Sequence, residues 1–121
     1  MTKTLTANQA DSETGFNRER ISQSRGPTYQ GDMRLIADFT TEKPGRSDYQ
    51  QFEIWETPKG NWITAFYGFG RNEFVRAEYF TDVRPNDLGF QLAVWEALEH
   101  TTAARTMLRD QLGWKFVVNV E

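Results

Sequence analysis

Four stretches of the chain alternate apolar and polar residues with a period of two. They are MRLIADFT at residues 33–40, YQQFEIWET at 49–57, WITAFYGF at 62–69 and FVRAEYF at 74–80. Successive side chains of a β-strand point to opposite faces, so this alternation predicts four strands. The last three are separated only by PKGN and by a turn at Arg71 and Asn72, which predicts an antiparallel β-meander.

A helical period replaces the alternation after residue 86. Apolar residues then recur at spacings of three and four as far as Leu112, with an interruption near residues 100–102. Asn86 or Asp87 is the expected N-cap, and Gly113 the expected C-terminal cap. The final stretch, WKFVVNVE, alternates again. The sequence therefore predicts an α+β fold: a meander of four strands, a helix or broken helix pair on one face, and a C-terminal strand.

The first 28 residues differ from the rest in composition. Their only large apolar side chains, apart from Met1, are Leu5, Phe16 and Ile21, among many polar and charged residues. Such a segment cannot bury enough apolar surface to offset its conformational entropy. We therefore predict a flexible polar N-terminal arm at residues 1–28 and a single α+β domain at residues 29–121.

The expected turns fix a register and hence two sheet faces. A PKGN loop places Phe52 opposite Tyr67, and a turn at Arg71 and Asn72 places Tyr67 opposite Arg76. One face is then nearly all apolar and is predicted to be the core beneath the helices: Trp55, Trp62, Thr64, Phe66, Gly68, Val75, Ala77 and Tyr79. The other face, here called the predicted aromatic face, carries Phe52, Ile54, Ile63, Ala65, Tyr67, Phe69, Phe74, Arg76, Glu78 and Phe80.

The predicted aromatic face is too apolar for a face that is simply solvated. Large apolar patches on a surface tend to mark contact sites. Two interpretations remain open at this point. The face binds a partner, or it is covered by the arm, the first strand or the second helix.

Composition narrows the classes of function. The chain of 121 residues has no cysteine and a net charge of −3, and no apolar run approaches the ~20 residues that span a bilayer. A disulfide framework and a thiolate metal site are excluded, and we expect a soluble cytoplasmic protein. The acidic residues lie mainly beyond residue 28, which weakens a nucleic-acid interpretation because nucleic-acid binders usually present a basic patch.

Catalytic and cofactor signatures are weak. The chain has one histidine and no Gly-x-Ser-x-Gly element. The GFGR stretch that contains Gly68 and Gly70 joins two predicted strands, whereas a phosphate loop leads from a strand into a helix. We expect neither a cofactor nor a metal.

We therefore expect a non-catalytic protein-binding module, acting as an accessory or inhibitory subunit of a larger complex or as a homo-oligomer. Two alternatives stay open: a single-stranded nucleic-acid-binding protein that stacks bases on aromatic rings, and a small enzyme that uses Asp, Glu and Tyr. The candidate binding residues are Tyr67, Phe69, Arg71, Phe74, Arg76, Glu78 and Phe80 on the sheet, with Arg18, Arg20 and Arg25 in the arm.

Overall fold

A computed structural model describes residues 15–121 of the chain. Within that range it contains five strands and two helices: β1 (Asn17–Ser22), β2 (Thr28–Thr40), β3 (Tyr49–Glu56), β4 (Trp62–Phe69), β5 (Phe74–Phe80), α1 (Leu88–Ala97) and α2 (Thr102–Leu112). All neighbouring strands are antiparallel and follow one another in chain order. The α+β class is confirmed, but the meander has five strands where four were predicted.

The additional strand comes from the predicted arm. β1 pairs with the first half of β2, from Asn17 opposite Met33 to Ser22 opposite Thr28. Ile21 is buried, with only 3% of its surface exposed. Residues 17–22 therefore belong to the sheet, whereas residues 1–14 of the predicted arm lie outside the described range.

β2 joins two parts of the sheet. Its first half pairs with β1, and residues 34–40 pair with β3. The register shifts between Leu35 and Ala37, which indicates a bulge, and a bulge bends a strand and increases its twist. The β1–β2 hairpin (residues 17–33) consequently packs against one face of β3, β4 and β5.

Both predicted hairpin registers are wrong by one residue. Phe52 lies opposite Phe66, and Phe66 lies opposite Arg76. In the first turn Thr57 is part of the loop, because its carbonyl accepts from the Gly60 amide at 2.8 Å. Since a slip of one residue reverses the faces of a strand, β3 and β5 present the opposite sides to those predicted.

The helices cover one face of the sheet and form the helix-side core. Its buried residues are Ala37, Phe52, Ile54, Trp62, Phe66, Val94, Leu98, Ala104, Met107, Leu108 and Trp114. The prediction that Trp62 and Phe66 face the helices is confirmed. The prediction for Trp55 and Tyr79 is wrong, because Trp55 packs on the other face and Tyr79 is 44% exposed.

The β1–β2 hairpin covers the opposite face and forms the hairpin-side core. Its buried residues are Ile21, Met33, Ile63 and Ala65, and Tyr29, Trp55, Tyr67, Val75 and Ala77 pack against them. The two interpretations left open by the sequence concerned the predicted aromatic face. Of its residues, Ile63, Ala65 and Tyr67 are covered here by part of the predicted arm and the first strand, whereas Phe52 and Ile54 are covered by the helices.

The helical region is a broken pair, in agreement with the sequence. The Asp87 carboxylate caps α1, and the Thr101 hydroxyl caps α2. Between the helices, Glu99 and His100 have φ angles of 59° and 52°, which ends α1 because a left-handed backbone cannot continue a right-handed helix. Gly113 ends α2 with φ 74°.

The predicted C-terminal strand is absent from the described structure. Trp114 is buried and stacks on Trp62 with ring centroids 5.9 Å apart, and Phe116 packs near Trp95 at 5.3 Å. Phe116 has φ 54°, which interrupts an extended backbone. The segment therefore anchors two aromatic rings beside the helices and does not enter the sheet.

Candidate binding surfaces

The predicted aromatic face is divided between the two sides of the sheet. On the helix side, Phe74 and Phe80 are partly buried against the core, and Phe80 packs edge-on to Phe90 at 5.6 Å. On the hairpin side, Tyr67 packs on the second core and Phe69 stacks near it. The residues proposed from sequence thus do not form one continuous surface.

Tyr67 and Arg76 are not the opposed pair that the sequence register predicted. Arg76 lies opposite Phe66, and its guanidinium carbon is 4.6 Å from the centre of the Phe74 ring. The Arg76 guanidinium also pairs with the Glu99 carboxylate. Arg76 therefore links β5 to the end of α1, on the side of the sheet away from Tyr67.

The three arginines of the predicted arm lie on or beside β1. Arg18 and Arg20 are exposed and alternate with the buried Ile21, so they project away from the hairpin-side core. Arg25 is exposed in the turn that follows β1 and borders a groove along β5.

A cleft of about 500 Å³ lies where β3 begins and β4 ends; we call it the end cleft. Its walls come from the loop after β2 and from the turn between β4 and β5. The residues that line it include Arg46, Asp48, Tyr49, Phe69, Arg71 and Phe74. Three of the predicted binding residues therefore meet here: Phe69, Arg71 and Phe74.

Aromatic rings form a short ladder at the end cleft. Tyr49 lies opposite Phe69 in the sheet, and their rings stack with centroids 4.7 Å apart and planes 21° apart. Tyr67 continues the ladder, 6.1 Å from Phe69 with a 14° angle between the rings. Such offset stacking is a favourable arrangement of aromatic rings.

The turn beside this ladder is fixed by Asp48. The Asp48 carboxylate accepts a hydrogen bond from the Arg71 backbone amide at 2.9 Å. Gly70 has φ 106°, and a Cβ there would collide with the same carboxylate. The turn thus requires glycine at this position, and it holds Arg71 at the mouth of the cleft.

Arg46 and Arg71 are exposed and have no side-chain partner within residues 15–121. The Asp48 carboxylate, which also lines the cleft, accepts from the Arg71 backbone amide and not from either guanidinium. Both guanidinium groups are therefore free to bind an anionic group at the end cleft.

A polar network supports the ladder from within the hairpin-side face. The Glu53 carboxylate accepts from Gln51 Nε2 at 2.9 Å and from Trp55 Nε1 at 3.1 Å, and the Tyr67 hydroxyl lies close to this carboxylate. Burial raises the pKa of Tyr67 above its ordinary value, and the nearby Glu53 charge raises it further. The network fixes the orientation of Tyr67 and so of the ring that stacks on Phe69.

The sequence analysis missed Arg46, Asp48, Tyr49 and the Glu53 network. A signal for the network was present, because Gln51, Glu53 and Trp55 alternate along YQQFEIWET and must share one face of β3. No comparable local signal connects the loop around Arg46 with the turn around Arg71, since only the folded sheet brings them together.

Within residues 15–121, no group of three or more His, Cys, Asp and Glu side chains is placed to hold a metal ion. None of the helices in that range is long and apolar enough to cross a membrane. No family model, curated protein or solved structure matches the chain. Function must accordingly be argued from the surfaces themselves.

Proposed function

We propose that the protein is a non-catalytic protein-binding module of the cytoplasm that acts as an accessory or inhibitory subunit, and that it binds an acidic segment of its partner in the end cleft. The observation that carries the proposal is the stacked pair Tyr49 and Phe69 beside Arg46 and Arg71, whose guanidinium groups have no partner among residues 15–121. Tyrosine and arginine beside apolar groups are the typical composition of interface hot spots.

The chemistry of the cleft favours carboxylates. A guanidinium presents a planar fork of donors that matches a carboxylate, and such charge-assisted hydrogen bonds are stronger than neutral ones. The rings of Tyr49 and Phe69 supply apolar contact area next to the two charges. An acidic segment with an aromatic or aliphatic side chain would use both features.

The site is also held in place before a partner arrives. Asp48 fixes the turn that carries Arg71, and the Glu53 network fixes Tyr67 behind Phe69. Preorganised side chains lose less conformational entropy when they bind, which increases affinity.

Single-stranded nucleic acid is the second candidate. Stacked rings next to arginines also suit a base and its phosphate. The net charge of −3 opposes this interpretation more strongly than it opposes a short acidic segment, because nucleic acid carries a charge on every phosphate and is repelled more at long range.

Fluorescence anisotropy with labelled probes tests the proposal. The probes are a short Glu/Tyr peptide, the same peptide with lysine in place of glutamate, and an oligothymidylate of similar length. We expect the Glu/Tyr peptide to bind and Arg71→Ala to weaken it by ~30-fold, the equivalent of about 2 kcal/mol at a hot spot. The matched control is Arg109→Ala, which removes an exposed arginine from α2 that pairs with its neighbour Asp110.

Three results would count against the proposal. If the oligothymidylate binds through Arg71 and the acidic peptide does not, the second candidate is correct. If the lysine peptide binds equally well, the arginines do not select the ligand. If Arg71→Ala and Arg109→Ala weaken binding equally, only net charge matters and the end cleft is not the site.

A further inference from the structure

β5 is an edge strand whose outward backbone groups are only partly covered. No described strand pairs with its outer side. The Val75 amide donates to the Ser24 hydroxyl, and the Val75 carbonyl accepts from the Ser24 amide, both at 2.9 Å. The Ala77 amide donates to the Gln23 side-chain oxygen at 2.9 Å. The turn after β1 thus caps the first half of this edge, largely with side chains, as proteins do to block unwanted strand pairing.

The second half of the edge extends beyond this cap. Because outward groups recur every second residue, the backbone of Tyr79 also points outward. Tyr79 is 44% exposed. A groove of about 560 Å³ runs along residues 74–78, next to the capping turn, and Arg25, Glu96 and Glu99 also line it.

The same chain carries an exposed apolar segment after Phe116. We call residues 117–121 the tail. Val117, Val118 and Val120 are 64%, 61% and 86% exposed, and they directly follow the anchored Phe116. Valine is β-branched and favours strands, where it packs on a pleated surface. The tail therefore has the composition of a strand and the exposure of an unpaired one.

We propose that the tail of one copy adds as an antiparallel strand to the outer edge of β5 in a second copy, so that two copies exchange tails. Antiparallel pairing with Val118 opposite Tyr79 also puts Val120 opposite Ala77. Both valines then continue the apolar hairpin-side face. Strand addition of this kind uses backbone hydrogen bonds for affinity and alternate side chains for specificity.

Charge selects the antiparallel direction. In this register Glu121 lies opposite Arg76, which also pairs with Glu99, so one guanidinium would serve both carboxylates. Asn119 lies opposite Glu78, and all of these residues are on the helix-side face. Opposite charges in a directly opposed pair stabilise a sheet. Parallel addition with the same valines against Ala77 and Tyr79 would move Glu121 beside Phe80 and leave Arg76 facing Val117. To admit the tail, the Gln23 side chain must release its hydrogen bond with the Ala77 amide.

Light scattering on the full chain over a wide range of protein concentration tests the proposal. We expect the measured mass of the unaltered chain to rise towards that of two chains as the protein concentration increases. The Val120→Asp variant should keep the mass of one chain, because the aspartate would lie against Ala77. Val120 is exposed in a single copy, so this variant should fold. The matched control is Leu92→Asp on α1, where leucine is 40% exposed; its mass should follow that of the unaltered chain.

A mixing experiment distinguishes strand exchange from general apolar association. Tyr79→Pro removes the outward amide of β5 but keeps the tail, whereas Val120→Asp impairs the tail but keeps the edge. Neither variant should associate alone, and their mixture should form pairs through one intact contact. Two results would overturn the proposal. The first is a full chain that stays at the mass of one chain, even if its tail amides resist hydrogen exchange. The second is a Val120→Asp variant that associates as the full chain does.

Discussion

Replacing Ile21 by alanine tests whether the β1–β2 hairpin is part of the folded domain. Ile21 is 3% exposed and packs with Met33, Ile63 and Ala65 in the hairpin-side core. The change removes about three buried carbons, worth ~2 kcal/mol at ~0.8 kcal/mol each, and leaves a cavity that adds to the loss. A hairpin can settle into part of that cavity, so we expect a loss of about 2–3 kcal/mol in the free energy of unfolding.

Urea titration followed by circular dichroism measures this loss. A domain of this size is typically stable by ~5–15 kcal/mol, so the variant should remain folded and the midpoint should shift to lower urea. Arg20→Ala is the matched control, because Arg20 is the neighbouring residue of β1 and is exposed. Its effect should stay below about 0.5 kcal/mol.

An Ile21→Ala variant that loses no more stability than Arg20→Ala would contradict this expectation. The hairpin would then detach without affecting the rest, as expected for a flexible arm. Rapid hydrogen exchange of the β1 amides in the unaltered protein would lead to the same conclusion, since it reports local opening at low free energy.

Two further predictions concern the two faces of the sheet. Trp62→Ala should cost about 3–5 kcal/mol in a urea titration, because the ring is 5% exposed and packs on Phe90 and Trp114; a loss under about 1 kcal/mol would remove Trp62 from the core. The pKa of Tyr67 is higher in the folded than in the unfolded chain, so its contribution to stability is complete below pH ~10 and is lost as the pH rises above that value. Ultraviolet titration of tyrosinate should show one fewer late-ionising group in Tyr67→Phe, and an unchanged titration curve above pH ~10 would contradict the assignment.

Periodicity was sufficient to predict most elements of the fold. The four strands from β2 to β5 and the broken helix pair follow from local patterns, and the caps at Asp87, Thr101 and Gly113 follow from the residues that favour such positions. β1 was missed because NRERIS has a single large apolar residue, Ile21. β1 is stable as a strand because it pairs with β2 and packs on β4. These contacts join residues that are distant in the sequence, so a local pattern does not reveal them.

The candidate site was harder to predict than the fold. A single additional loop residue, Thr57, shifted the first hairpin and reversed the faces of β3 relative to β4. A shift of one residue changes every cross-strand pair. It therefore changes both the residues that share a surface and the rings that stack between strands. Phe69 and Arg71 could be proposed as binding residues from sequence, but their neighbours Tyr49 and Arg46 could not.

The continuity of β2 has a consequence for how the protein unfolds. One strand supplies backbone hydrogen bonds to the hairpin through its first half and to β3 through its second. Met33 belongs to the hairpin-side core and Ala37 to the helix-side core. The two residues lie close together in β2, on either side of the bulge. Unfolding of either core would disorder part of β2, which also contributes residues to the other core. The two cores are therefore expected to act as a single cooperative unit, with calorimetric and van't Hoff enthalpies of unfolding that agree.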